Sequence, residues 1–299
     1  MTCKLPLKKT QTIHIHNTMQ EIKNIQVPGK HLKPILTDVI YMKNHQKKPL
    51  VIFCHGYKGY KDWGVFNKMT STFAEEALFF VKFNFSHNGG TPEQPIDFPD
   101  LEAFGQNNYV KELDDLESVL DHVLSNRSFE GEFDPEDITL IGHSRGGGLV
   151  SLKAAENKKI TRLISWAGVA DFGARFPVGE VLEKWKNEGV AFIENARTQQ
   201  QMPHYIQFYE NFKANEERLT IRKAVSKLKI PHLIVHGTKD TSVELKEGEY
   251  LHQWNANSEL FLIDGADHTF GAKQPWTEKN LPEDFQKVLF KTIDFIKTS

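Results

Sequence analysis

The sequence predicts an α/β fold with a mostly parallel central sheet flanked by helices. Three observations carry that expectation. Short apolar runs alternate with segments of helical periodicity, the pattern of strands joined by crossover helices. Pro49-Leu50-Val51-Ile52-Phe53-Cys54 is apolar throughout, as a parallel strand buried on both faces must be. Residues 138–150 read as an apolar strand, a glycine-flanked serine and the start of a helix. That is the G-x-S-x-G nucleophile elbow, in which a sharp turn lifts a serine hydroxyl clear of the backbone.

The elements follow in order. Residues 12–16 and 36–41 alternate polar and apolar, and are expected as antiparallel edge strands. Residues 61–76 read as a helix and 78–85 as a strand. Residues 108–124 place Val110, Leu113, Leu116, Val119, Leu120 and Val123 at helical spacing. After the elbow strand comes a helix reaching Glu156. Residues 163–167, 232–236 and 260–263 are further strands, and 285–296 a closing amphipathic helix with Val288, Leu289, Ile293 and Ile296 on one side. Residues 169–229 contain no central strand. There, 180–188 read as a helix, and 190–196 and 205–209 as a hairpin around a turn at 198–201. An excursion of this length between core strands is usually functional. The chain is therefore expected to be a single domain over 1–299, with 169–229 a lid inserted into it.

Composition narrows the function. With 299 residues, 39% hydrophobic and 25% charged, the chain has room for a sizeable core. A net charge of −2 gives no reason to expect nucleic acid or an anionic membrane as partner. Only Cys3 and Cys54 occur, so a disulfide framework is not expected, which fits a reducing, cytoplasmic setting. The basic segment 1–17 has no apolar core of the secretory type. No run approaches the ~18 apolar residues of a membrane helix. The thirteen His residues fall in no metal-ligand spacing, and no phosphate-binding G-x-x-x-x-G-K-[ST] loop is present. No metal and no cofactor is expected. Oligomeric state is open.

A serine nucleophile needs a base, and the base needs an acid to orient it. In a sheet carrying such an elbow the order is serine, acid, histidine. Asp240 stands just past the 232–236 strand and His268 just past the 260–263 strand. Ser144, Asp240 and His268 are the expected triad. Asp171, Asp264 and Asp267 are weaker rivals for the acid. His143 is expected to pack under the elbow, His236 to pack at a strand end, and His252 to lie on a helix surface. Two fixed backbone N–H groups should stabilise the tetrahedral oxyanion. Arg145, next after the nucleophile, supplies one. The loop His55-Gly56-Tyr57-Lys58-Gly59 supplies the other, at Tyr57. The Arg145 side chain is expected to make a structural ion pair rather than to hold a substrate carboxylate.

Together, H-G-Y-K-G at 55–59, G-H-S-R-G-G at 142–147, H-G-T-K-D at 236–240 and G-A-D-H-T-F at 265–270 resemble the α/β-hydrolase superfamily. The resemblance runs from about Pro49 to the C-terminus. It is strongest to the dienelactone-hydrolase-like and prolyl-oligopeptidase-like branch, which includes bacterial cinnamoyl (feruloyl) esterases and acyl-peptidases. It implies an α/β-hydrolase fold with a lid insertion and a cofactor-free Ser-His-Asp hydrolase working through an acyl-enzyme. Dienelactone hydrolases carry Cys as nucleophile, where this chain has Ser144. Prolyl oligopeptidases carry a β-propeller, for which 299 residues leave no room. In cinnamoyl esterases an insertion after the same strand holds an aromatic acyl group. Trp185, Phe192, Tyr205, Phe208 and Tyr209 are the residues that resemblance offers for substrate binding.

The expected function is cleavage of small to medium carboxylic esters, aromatic acyl groups among them, and the expected partner is a small-molecule ester. A peptidase or amidase is the alternative. It would need a site for a substrate amine, for which Glu210, Glu216 and Glu217 are candidates. A hydrolase fold used only for binding is a further alternative, disfavoured because all three triad residues are present.

Overall fold

The computed structural model describes residues 18–299. The expected strand at 12–16 and Cys3 lie outside the described residues. Two antiparallel strands, β1 (Thr18–Pro28) and β2 (Pro34–Lys43), open the fold. They lead into β3 (Lys48–Cys54), α1 (Phe66–Glu75) and β4 (Phe79–Phe83). Next come α2 (Leu101–Gly105), α3 (Tyr109–Ser125), β5 (Phe133–His143), α4 (Arg145–Glu156) and β6 (Arg162–Trp166). The chain then leaves the sheet through α5 (Glu180–Glu188), a hairpin of β7 (Val190–Glu194) and β8 (Gln201–Tyr205), α6 (Gln207–Ala214) and α7 (Ile221–Val225). It returns as β9 (His232–Gly237), α8 (Leu245–Trp254), β10 (Ser258–Ile263) and α9 (Glu283–Thr298).

The main sheet has eight strands in the order β1-β2-β4-β3-β5-β6-β9-β10. From β4 to β10 every pairing is parallel. Its continuous apolar strands divide their side chains between two cores, because successive residues point to opposite faces. Leu50, Ile52 and Cys54 of β3 join the core under α3 and α4. Val51 and Phe53 join the core under α1 and α9. Each such side chain, fully buried, contributes about 1.5–3 kcal/mol. The α3 stripe of Leu113, Leu116, Val119, Leu120 and Val123 faces the first core, and the α9 stripe of Val288, Leu289, Ile293 and Ile296 faces the second.

Three expectations are corrected. Residues 36–41 lie in β2, which pairs on both sides and is not an edge. The edge is β1. Its register shifts between Ile22 and Ile25, with Asn24 at φ 55°, and this irregularity breaks the alternation by which a strand is read from sequence. The helix expected from residue 61 begins at Phe66. Residues 61–65 form turns, because Lys61 is drawn into a buried ionic network. Its Nζ lies 2.8 Å from Asp38 Oδ2 and 2.6 Å from Asp62 Oδ2, while Lys82 Nζ lies 2.5 Å from Asp62 Oδ1. Lastly, the second hairpin strand is Gln201–Tyr205, not 205–209. Residues 207–214 are helical, since Phe208 and Phe212, four apart, bury one face of α6.

Candidate active site

The carboxyl ends of β3, β5, β9 and β10 bring the expected residues to one edge of the sheet, where open α/β sheets place their ligands. Ser144 sits between β5 and α4 at φ 57° and ψ −120°, a conformation L-residues avoid. Three backbone hydrogen bonds hold it there. Ser144 N donates to Trp166 O at 2.9 Å, and Ser144 O accepts from Gly147 N at 2.9 Å and Val169 N at 3.1 Å. The flanking glycines are steric requirements. A Cβ on Gly142 would lie 2.2 Å from Gly146 O, and one on Gly146 would lie 2.4 Å from Cys54 O.

Asp240 and His268 meet. His268 Nδ1 lies 2.8 Å from Asp240 Oδ2. The other oxygen, Asp240 Oδ1, accepts from Ser242 N at 2.8 Å and Val243 N at 2.9 Å. Burial works against the Asp240 charge, but the His268 contact and these amides outweigh it and hold the carboxyl below its usual range. An ionised Asp240 only accepts, so His268 Nδ1 carries a proton, and in the neutral ring the lone pair is on Nε2. The loop bearing His268 is fixed from below. His143 Nε2 lies 2.9 Å from the His268 carbonyl, which can only accept, so this nitrogen donates. Burial takes the His143 pKa down to about 3, so the ring is neutral at pH 7.

The rival acids are engaged elsewhere. Asp171 accepts from Gly173 N, Asp264 from Thr238 Oγ1, and Asp267 from Thr269 N and Gly271 N. His236 is buried on the Val243 carbonyl at 2.8 Å, and His252 bonds Ser258 on the surface of α8.

His55, a residue that sequence reasoning passed over, organises the loop of Tyr57. Phe85 N donates to its Nε2 at 3.4 Å, so its Nδ1 carries the proton and donates to Gly56 O at 2.9 Å. Gly59 N donates to the same carbonyl at 3.1 Å. The carbonyl of the Gly56–Tyr57 peptide is thereby pinned on one side, and the Tyr57 N–H of that planar unit points to the other. The Arg145 N–H opens α4 and has no helical acceptor. The sequence signal for His55 was the His-Gly pair that ends β3.

Arg145 extends its guanidinium beneath the insertion. It lies 3.3 Å from Glu112 Oε1 and stacks over Tyr57 at 4.5 Å, Tyr109 at 5.3 Å and Phe208 at 5.4 Å. The ion pair is the structural one expected from the sequence. The Tyr57 hydroxyl lies 2.6 Å from His204 Nε2. Burial raises the Tyr57 pKa to about 12 and lowers that of His204 to about 4, so both are neutral at pH 7.

Two cavities share Tyr57, Ser144 and His268 in their walls. One, of about 800 Å³, is lined by Tyr109, Phe172, Phe176, Trp185, Phe192 and Phe208. The other, of about 440 Å³, is bounded by Lys58, Trp63, Arg197, Thr269 and Lys273. Of the aromatic candidates, Trp185, Phe192 and Phe208 line the larger cavity. Tyr205 and Tyr209 do not. The Tyr205 hydroxyl donates to Glu102 Oε2 at 2.5 Å, and Tyr209 packs on Phe176 and Trp185 from outside. Tyr109, Phe172 and Phe176 escaped the sequence reading because they read equally well as core residues. Among the described residues, no group of three His, Cys, Asp or Glu side chains could hold a metal ion, and no helix is long and apolar enough to cross a membrane.

Comparison with known proteins agrees with this architecture. Est1E from Butyrivibrio proteoclasticus with ferulic acid bound superposes with a TM-score of 0.67 at 20% identity, over 91% of this chain and 98% of that one. α/β Hydrolase domain-containing protein 10 from mouse gives 0.67 at 17% identity, over 94% and 98%. The esterase domain of a Rhodothermus marinus protein gives 0.60 at 15% identity, over 93% and 97%. At these identities the likeness is one of fold. No curated protein matches the chain by sequence. The sequence profile of the BD-FAE family matches residues 38–255, which span the sheet from β2 to the end of α8. On that match and this topology, the chain belongs to the BD-FAE family and has the α/β-hydrolase fold.

Proposed function

We propose that the chain is a serine hydrolase that cleaves carboxylic esters. One observation carries this reading: Ser144, on a strained turn, shares a cavity wall with His268, whose Nδ1 is held 2.8 Å from Asp240. His268 Nε2 takes the proton of Ser144 Oγ as that oxygen attacks the ester carbonyl. The N–H groups of Tyr57 and Arg145 receive the oxyanion. The tetrahedral intermediate collapses, the C–O bond breaks, and His268 returns the proton to the leaving alcohol. Water, deprotonated by the same nitrogen, then attacks the acyl-enzyme and frees Ser144. Asp240 holds the imidazole tautomer throughout and stabilises its cation.

Residues 169–229 serve as the lid. The larger cavity, walled by Trp185, Phe192 and Phe208 from this segment, is the site for a small to medium, apolar or aromatic acyl group. The ferulic acid bound by Est1E is an aromatic acid of this class. For amide cleavage the candidate amine-binding carboxylates give no support. Glu216 pairs with Lys213, Glu217 pairs with Lys223, and neither these nor Glu210 lines a cavity with Ser144.

The test compares p-nitrophenyl acetate, butyrate and octanoate, methyl ferulate and an aminoacyl-p-nitroanilide, using wild type and Ser144→Ala. Ester turnover lost by at least ~1000-fold in the variant supports the reading. Preference for the anilide would replace it with a peptidase, and equal rates for the two proteins would remove Ser144 from the chemistry.

A further inference from the structure

The two cavities that meet at Ser144 differ in charge. The larger contains Arg145 and Arg175, and each is paired with a carboxylate, Glu112 and Glu247 respectively. The smaller is lined by Lys58, Arg197 and Lys273, and neither lining includes an Asp or Glu. Arg197 is paired with Asp97 in the same way, so the difference in charge rests on Lys58 and Lys273. Among the described residues, Lys58 Nζ reaches only a carbonyl, Glu194 O at 3.4 Å, and the Tyr57 ring at 5.4 Å. Lys273 has no carboxylate within 4.0 Å among them. Burial alone pulls the Lys58 pKa down, with no neighbouring anion to oppose it.

Position adds to the charge. Lys58 follows Tyr57 in sequence and is held at φ 52°, so its backbone is fixed by the same turn that presents the Tyr57 N–H. Lys273 comes from the loop after His268, and Arg197 from the tip of the β7–β8 hairpin. Two separate loops thus bring unpaired lysines to one recess that opens on the nucleophile, and a third brings the paired Arg197. Asn195, Thr269 and Gln274 add neutral polar groups to its wall. An unpaired cation in a partly enclosed recess is stabilised by an anion that enters it, and a cleft of one sign concentrates the opposite ion.

We propose that this smaller cavity is a subsite for an anionic group, carboxylate or phosphate, on the alcohol side of the ester. The inference rests on ester cleavage at Ser144 and on the acyl group occupying the aromatic cavity. The substrate class is then an apolar or aromatic acyl group esterified to a hydroxy acid or a phosphorylated alcohol.

The experiment uses the full chain and three esters of phenylacetic acid that differ only in the alcohol. These are glycolate with a free carboxylate, methyl glycolate, and 2-hydroxyethyl phosphate. The readout is kcat/KM for each charged ester relative to the neutral one. Wild type is expected to favour one or both charged esters by roughly tenfold or more, as a cleft of opposite charge provides. The ratio should fall when ionic strength rises from about 20 mM to about 500 mM, because the screening length shortens severalfold. Lys58→Gln combined with Lys273→Gln should bring the ratio near one, and Lys58→Arg should keep most of it. Lys227→Gln, remote from the cavity, is the control and should keep the full ratio. Preference for the carboxylate over the phosphate, or the reverse, names the anion. Turnover of the neutral ester with a wild-type ratio at or below one overturns the anion subsite and leaves ester cleavage standing. A ratio unchanged in the double variant overturns it as well. Failure to turn over any of the three overturns the ester reading, and the subsite with it.

Discussion

The loops at the carboxyl ends of the sheet and the segment between β6 and β9 are held by different forces. The loops are clamped through backbone. Ser144 is fixed by three main-chain hydrogen bonds, the Gly56 carbonyl by His55 and Gly59, and Asp240 Oδ1 by two amides. The segment is clamped through side chains. Its two-stranded hairpin is not part of the main sheet. It is attached by side chains, with Phe208 4.8 Å from Tyr109, the Tyr57 hydroxyl 2.6 Å from His204 Nε2, and Gln207 Nε2 donating to Asn107 O at 2.9 Å. Hydrogen bonds to backbone hold a reacting geometry in one arrangement. Side-chain clamps define a volume and let its shape vary. In the proposed function, catalysis belongs to the first region and selectivity to the second.

The largest expected effect tests the first half of that assignment. Ser144→Ala should cut ester kcat/KM by at least ~1000-fold while leaving the melting temperature close to wild type, measured by initial rates and thermal melts. Retained activity would break the comparison at its root. Asp240→Asn should cost roughly 100-fold or more in kcat, because an amide can favour the wrong imidazole tautomer. A change confined to KM would mean that Asp240 does not act through His268.

A pH series of thermal melts examines both regions together. Burial takes the pKa of His55 and His204 to about 4 and of His143 and His232 to about 3. The same rings in the unfolded chain titrate near about 6.5. Below that pH the unfolded state binds more protons, so stability is whole above about 6.5 and is lost as pH falls toward 4. Each ring removes up to about 1.4 kcal/mol per pH unit. Asp115, pushed up to about 7 by burial, has the opposite sign and adds stability as pH falls below that value, but the buried rings outnumber it. The melting temperature should therefore be lower at pH 5 than at pH 7.5. A flat or rising profile would mean that these rings are not buried and neutral.

The smallest effect sharpens the second half. Phe192 lines the larger cavity yet is 59% exposed, so its removal should spare the fold. Phe192→Ala is expected to raise KM for an aromatic acyl ester by roughly threefold to tenfold, with kcat within about twofold. Steady-state kinetics on methyl ferulate and p-nitrophenyl acetate would show it, since the acetate should hardly respond. A fall in kcat for both esters would place the hairpin in the chemistry.

The same division decided what could be read early. The sheet strands were legible because burial on both faces demands uninterrupted apolar runs, and β3, β5 and β9 supply them. The elbow was legible because only glycine fits at Gly142 and Gly146. Asp240 and His268 were legible from their places just past strand ends. Where a side chain's role depends on a partner far along the chain, sequence was silent. Tyr109 looks like any core aromatic until α3 and α6 bring it against Phe208, 99 positions away. Lys61 looked helical until Asp38 drew it inward. The edge strand β1 was hidden by its own register shift.

Local pattern in the sequence was enough for the fold class, the succession of parallel strands and the choice of three candidate catalytic residues. Each of those depends on local pattern: periodicity, a turn that only glycine permits, a polar residue after an apolar run. Only the tertiary structure decided that Arg145 turns toward Glu112, that Tyr205 and Tyr209 stay out of the cavity, and that an aromatic and a cationic recess meet at one serine. Those outcomes are set by packing and electrostatics between segments separated by tens to hundreds of residues, and no local pattern encodes which of many possible neighbours will be found there.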